Sequence, residues 1–304
     1  MGNIGRISTY ALHQTTLRDA SRMQEQLANL QIQLSSGLKS RDFQGMADQA
    51  EQYLSLEAKI SRTEVYQNNN KLVVTRLDTT DTILSQAIDT ITGIKNLILQ
   101  RRNNAVADSL AFDEQIDGLW RSLTSQLNTT LEGRYLFGGT RTDTAPVNAD
   151  TFPVLQESGV PDDGYYNGSN DDVTLHADDG IDMVYNVRAN APGFQKVFAA
   201  LAMAKTGHAD SNEEELRSAF DLAAQGLQEI ISTQAQVNAN KVSVTQIIDR
   251  QASLKLYWQG IKEDISNTDL VSVSTQVAVN QGVLQASFQA FARINSLRLS
   301  DFLR

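Results

Sequence analysis

The chain has 304 residues, 41% of them hydrophobic, a net charge of −10 and no cysteine. The acidic balance argues against a nucleic-acid or anionic-membrane partner. The missing cysteine excludes a disulfide framework, a thiolate metal site and a cysteine nucleophile.

The opening residues, MGNIGRISTYALHQ, have no apolar stretch of the kind a secretory signal carries. No run approaches the roughly eighteen apolar residues of a membrane span. All four prolines, Pro146, Pro153, Pro161 and Pro192, fall in one window. Proline breaks helix interiors, so the flanks on either side are free to be long helices and the middle is not.

Residues 5–36 carry Ala20, Met23, Leu27, Leu30 and Leu34 at alternating spacings of three and four, as a coiled-coil seam requires. Ser35-Ser36-Gly37 interrupts the series, and Gly37 fits a helix C-cap or a hinge. A second helical run is expected over 46–104. Its seam is Val73, Leu77, Leu84, Ala87, Ile91, Ile94 and Ile98, and its earlier part is poorer around Gln67 to Asn70. A third run over 108–132 repeats the pattern with Phe112, Ile116, Leu119, Leu123, Leu127 and Leu131. Asp108 is its expected N-cap and Gly133 its stop signal.

Residues 133–190 change character. Ten acidic residues between Asp143 and Asp182 stand against Arg134, Arg141 and Arg188. Turn pairs punctuate the stretch. Val173–His176 and Ile181–Tyr185 alternate as strands do. Helix resumes near Gly193, and a long run over 212–266 opens on Glu213, Glu214 and Glu215, which suit a helix N-terminus. Its seam runs from Leu216 to Ile248, with Gln234 and Lys241 in two positions, and then shifts to Leu254, Trp258, Ile261 and Ile265.

The last stretch, 268–304, holds Val273, Val277, Leu284, Phe288, Phe291, Ile294 and Leu297 at helical spacing. Most of a helix's stability in a protein comes from packing its apolar face, so this stripe needs a partner. The similar stripe at the other end of the chain is its natural partner.

The expected fold is mainly α: an elongated, nested helical rod with paired terminal helices and a small β-rich insertion. The expected domains are 1–42 with 268–304 as the terminal pair, 43–132 with 191–267 as the rod, and 133–190 as an exposed insertion. The apolar stripe of the terminal pair is expected at Ala20, Met23, Leu27, Leu30, Leu34, Val273, Val277, Leu284, Phe288, Phe291 and Ile294.

No catalytic constellation emerges. His13, His176 and His208 are scattered without acidic partners at metal-ligand spacing on a shared helix face. Asp162-Asp163-Gly164 with Asn167, Asn170, Asp171 and Asp172 lacks the order and closing Glu of a calcium loop, and reads as an acidic surface loop. Gly138-Gly139 reads as a turn, not a nucleotide loop. Trp120 and Trp258 sit in seams and read as core. The chain is expected to be no enzyme and to take no cofactor or metal.

Four stretches carry a family resemblance: Arg6–Thr9, Leu34-Ser35-Ser36-Gly37, Gly133–Pro146 (GRYLFGGTRTDTAP) and Gln285–Phe291 (QASFQAF). The chain resembles the flagellin superfamily of bacterial flagella, and within it the hook–filament junction proteins. Leu38–Met46 departs from that family's usual turn after Ser-Ser-Gly. The ending Leu297–Arg304 is similar to filament flagellins, so a filament subunit is the alternative.

The resemblance implies a structural subunit that self-associates in a helical tube between the first hook-associated protein and flagellin. It also implies export through the flagellar type III apparatus without a cleavable signal. An export chaperone would sit over Leu284, Phe288 and Phe291. Thr, Ser, Gln and Asn in the terminal stripes weaken burial in a monomer, so these ends are expected to order on assembly.

Overall fold

A computed structural model describes residues 4–40, 49–103, 109–150, 152 and 163–302, with side chains over 14–40, 49–103, 111–150, 152 and 163–293. The fold is mainly α. The helices are α1 (Ile4–Ser36), α2 (Ala50–Asn103), α3 (Ser109–Leu127), α4 (Pro192–Ala209), α5 (Glu213–Ser266) and α6 (Leu270–Phe302). Strands β1 (Thr130–Leu131) with β2 (Arg134–Tyr135), and β3 (Thr174–Asp178) with β4 (Ile181–Val184), form two small antiparallel pairs. No helix among the described residues is long and apolar enough to cross a membrane. The chain divides into two compact units, Met1–Ser61 with Leu254–Arg304, and Arg62–Ser253.

In the unit Arg62–Ser253, most seam positions expected from spacing are buried, whereas Leu119 and Leu131 are only half-buried. Val73, Leu77, Leu84, Ala87, Ile91, Ile94 and Ile98 of α2 share one core with Phe112, Ile116, Trp120, Leu123 and Leu127 of α3. Helix α4 adds Phe194, Val197, Phe198 and Leu201. Aromatic edges lock this centre, with Trp120 and Phe198 centroids 4.8 Å apart and Tyr165 and Phe198 4.4 Å apart. Residues 133–190 feed the same core through Phe137, Val147, Tyr165, Leu175, Ala177, Val187 and Ala189.

Helix α3 stops at Leu127, earlier than its apolar period suggests. Asn128 leaves the helix and binds the Val147 backbone twice, its Nδ2 donating to the carbonyl at 2.8 Å and its Oδ1 accepting the N–H at 2.9 Å. Gly133 then serves a hairpin. Glu132 and Gly133 both have positive φ, 53° and 75°, as a two-residue turn between twisted strands requires. Asp108, the expected cap of this helix, lies outside the described residues. Gly138-Gly139 forms a tight turn, where a Cβ on Gly138 would meet the Arg141 carbonyl oxygen at 2.3 Å and one on Gly139 the Ser169 carbonyl oxygen at 2.2 Å.

The polar stretch of α2 also acquires a role. The β3–β4 register breaks between His176 and Asp178. The carbonyl of Ala177 at this break accepts Asn70 Nδ2 at 2.9 Å and Gln251 Nε2 at 2.8 Å. Asn70 and Gln251 are both buried, and Asn70 also donates to Gln251 at 3.2 Å. A bulge leaves a ladder carbonyl without its strand partner, and here two helix amides supply replacements. Two further seam positions, Gln234 and Lys241, reach across to Asp81 and Asp78 of α2.

The seam of α5 runs through Gln251, while Leu254 is 39% exposed. Ile265, in the other unit, is buried together with Leu56 and Ile60 of α2. Beside them, Lys262 pairs with Glu57 at 3.3 Å and lies 4.8 Å over the Tyr53 ring. Burial pulls the Lys262 ammonium down, but its bonds to Glu57 and Tyr53 more than offset that, leaving its pKa above the ordinary value.

Candidate functional site

The candidate site is the pair of terminal helices and the clasp that ties them. Gly37 ends α1 in the left-handed region, φ 72°, with its N–H donating to the Gln33 carbonyl at 2.8 Å. The hydroxyls of Ser35 and Ser36 both turn back to the Ile32 carbonyl, at 2.9 and 2.8 Å. These bonds occupy carbonyl groups that a helix end otherwise leaves open.

The chain then forms an antiparallel bridge, Leu38 with Asn267. The Lys39 N–H donates to the Ser266 carbonyl at 2.8 Å, and Lys39 Nζ to the Asp264 carbonyl at 2.6 Å. Immediately after the bridge, Asp269 caps α6, its Oδ1 accepting the N–H groups of Val271 and Ser272 at 2.9 and 3.2 Å. Helix α6 therefore starts where α1 stops. The two pack together in opposite directions.

The contact face matches most of the expected stripe. Ala20, Met23, Leu27 and Leu30 of α1 are half-buried, as are Val277, Leu284 and Phe291 of α6. Val273 is buried outright at 5% exposure. Asn280 and Ser287 share the same face of α6 at helical spacing, so the stripe is interrupted by polar groups. Leu34 and Phe288 do not join it and are 40% and 48% exposed. The side chain of Ile294 lies outside the described residues.

Spacing alone did not reveal a second apolar strip on α6. Val279 and Val283, one turn apart, are 57% and 43% exposed, and Ala286 and Ala290 continue their line. The signal was present as a further i, i+4 pair, but the stronger Val273–Phe291 series masked it. An exposed apolar strip beside a half-covered one is a surface suited to association.

The histidines are apart. His176 Nδ1 sits 2.6 Å from Asp182 Oδ1 across the β3–β4 pair, exposed to solvent. His208 is buried, 4.5 Å from the Phe112 ring and bonded to Arg101. The side chain of His13 lies outside the described residues. In the acidic loop, Asp171 accepts from Ser169 at 2.6 Å and Asp172 pairs with Arg188 at 2.7 Å, while Asp162 lies outside the described residues. Among the described residues no group of three His, Asp or Glu side chains is placed to hold a metal ion.

Comparison with known proteins agrees with this architecture. The family model for the bacterial flagellin N-terminal helical region matches residues 7–142. Flagellar hook-associated protein 3 of Escherichia coli (strain K12) is 24% identical over 97% of this chain and 98% of its own. The protein of the same name from Salmonella typhimurium is 23% identical over 98% of this chain and 100% of its own. The crystal structure of Bacillus cereus FlgL superposes with a TM-score of 0.54 at 19% identity, covering 70% of this chain and 99% of that one. Xanthomonas campestris FlgL gives 0.54 at 14%, over 68% and 99%. These structural likenesses establish a shared fold. Residues 7–142 thus match the model of the bacterial flagellin N-terminal helical region, and the chain is similar over nearly its whole length to flagellar hook-associated protein 3.

Proposed function

We propose that this chain is a structural subunit of the bacterial flagellum, joining a hook-associated protein to the flagellin filament. The observation that carries the proposal is the α1–α6 pair, whose apolar stripe is half-covered and flanked by the exposed Val279, Val283 and Phe288. Neighbouring copies in a tube supply the missing apolar faces. Ordering a residue costs roughly 1–2 kcal/mol, and stripes diluted by Asn280 and Ser287 offset that poorly in one chain. Folding of the ends is therefore completed on assembly. Before assembly, an export chaperone occupies the surface around Leu284, Phe288 and Phe291.

The likeness to hook-associated protein 3 along both flanks supports the junction role. The flagellin N-terminal region supports a second reading, a subunit of the filament itself. Deleting the chain and weighing its share of purified filaments separates the two. A junction subunit is required for any filament yet scarce in it. A filament subunit is the bulk of the protein present. Normal filaments after deletion contradict both.

A further inference from the structure

A small cavity in the unit Arg62–Ser253 has an unusual lining for so acidic a chain. Its volume is about 60 Å³, and Arg76, Thr80, Arg134, Thr142, Tyr185 and Asn186 face it. Two of these are cations, and among the described residues no Asp or Glu lines it. Arg62, Arg188 and Arg250 of the same unit each hold an aspartate within 3.1 Å. Arg76 and Arg134 hold none among the described residues. The contact that fixes Arg76 is its Nη1 donating to the neutral Tyr185 hydroxyl at 2.8 Å.

Asn186 adds a third donor. Its Oδ1 already accepts the Val173 N–H at 2.9 Å, which fixes which end of the amide is the nitrogen. That Nδ2 is buried and has no hydrogen-bond partner. A buried donor without a partner is costly, and two guanidinium groups around one cavity repel each other. A single negatively charged, multi-oxygen group answers both defects. Guanidinium forks match carboxylate and phosphate geometry, and such pairs are among the stronger hydrogen bonds. With about 10–15 Å³ needed for one water-sized atom, the cavity has room for a carboxylate or a tetrahedral oxyanion.

We infer that this cavity is an oxyanion site, formed by Arg76, Arg134 and Asn186. The ligand is either a free oxyanion or the Asp or Glu carboxylate of a second copy of this chain. The inference does not depend on the proposed flagellar role.

The test compares the purified full chain with Arg134→Gln and Arg76→Gln. Arg134 is exposed, so its replacement leaves the core intact. Melting temperatures are measured in inorganic phosphate and in chloride at matched ionic strength, and self-association is measured by sedimentation in chloride. Phosphate stabilises folded proteins generally by exclusion, so the readout is wild type minus variant. With phosphate tenfold above its Kd, the wild type is expected to gain about 3 °C more than either variant. That result identifies a free oxyanion. Equal phosphate shifts, with self-association weakened about tenfold in both variants, identify a carboxylate from a second copy. Equal shifts together with equal self-association overturn the site.

Discussion

The Thr268 N–H donates to the Gly37 carbonyl at 2.9 Å, and Gly37 sits at φ 72° to present that carbonyl. One residue thus ends α1 and receives the segment that leads into α6. A Cβ on Gly37 would meet nothing within 4 Å, so the cost of a side chain there is conformational, not steric. Gly37→Ala is expected to destabilise the clasp by about 1 kcal/mol, and Gly37→Asn by less, because Asn tolerates the left-handed region. Limited proteolysis should show faster cleavage near 36–40 in the order Ala, Asn, wild type. Equal rates for all three would show that the clasp does not hold the ends.

Where α4 crosses α5 the constraint is steric. A Cβ on Gly226 would lie 2.7 Å from the Gly193 carbonyl oxygen and 2.7 Å from Val197 Cγ2. Gly226→Ala is therefore expected to cost about 1–3 kcal/mol. Gly118 in α3 has open space around its Cα, so Gly118→Ala should stabilise by about 0.5–1 kcal/mol. Thermal unfolding reads both, and the opposite signs are the test.

The turn after β3 is held to α2 by charge. Tyr66 donates its hydroxyl to Asp179 Oδ1 at 2.9 Å, and Arg62 reaches Oδ2 at 3.1 Å. The Tyr66 hydrogen bond, then Arg62, holds the Asp179 carboxyl below its ordinary 3.8. Its contribution is present above that value and is lost as pH falls through the lowered pKa. The same bond raises Tyr66 above 10.0, so the tyrosine's contribution is present below pH 10 and lost as pH rises through the raised pKa. Tyr66→Phe should move Asp179 up towards 3.8 in an NMR carboxyl titration. An unmoved Asp179 would show that the hydroxyl does not set its charge.

On the proposed function, a change at Phe288 is expected to separate assembly from pairing. It lies off the α1–α6 contact and is 48% exposed. Phe288→Ser should leave the melting temperature of the single chain nearly unchanged, within about 0.5 kcal/mol. It should slow polymerisation and weaken chaperone binding. Val273→Ser, at a buried position, should lower the melting temperature of the pair instead. Wild-type polymerisation by Phe288→Ser would remove that face from the interface.

Much of the helical framework was legible because its determinants are local. Leu77, Leu84, Ile91 and Ile98 repeat at helical spacing and are buried in the structure. Pro192 opens α4, and Gly37 closes α1. What spacing could not supply is anything whose reason lies far along the chain. Asn70 looks like a weak seam position until Ala177 presents its bulged carbonyl from 107 residues away. Gln251 replaces Leu254 in the seam for the same reason. Gly193 and Gly226 give no sign of each other in sequence. In the terminal pair, the face from Val273 to Phe291 was legible, whereas its boundary was not. Phe288 shares the apolar series yet turns to solvent, because three- and four-residue steps accumulate around a helix.

The central claim is positional, and electron microscopy of flagella bearing a labelled copy of this chain tests it most directly. A junction subunit places the label in a short band between hook and filament, on every flagellum. Label distributed along the filament, or absent from the flagellum, would contradict the account.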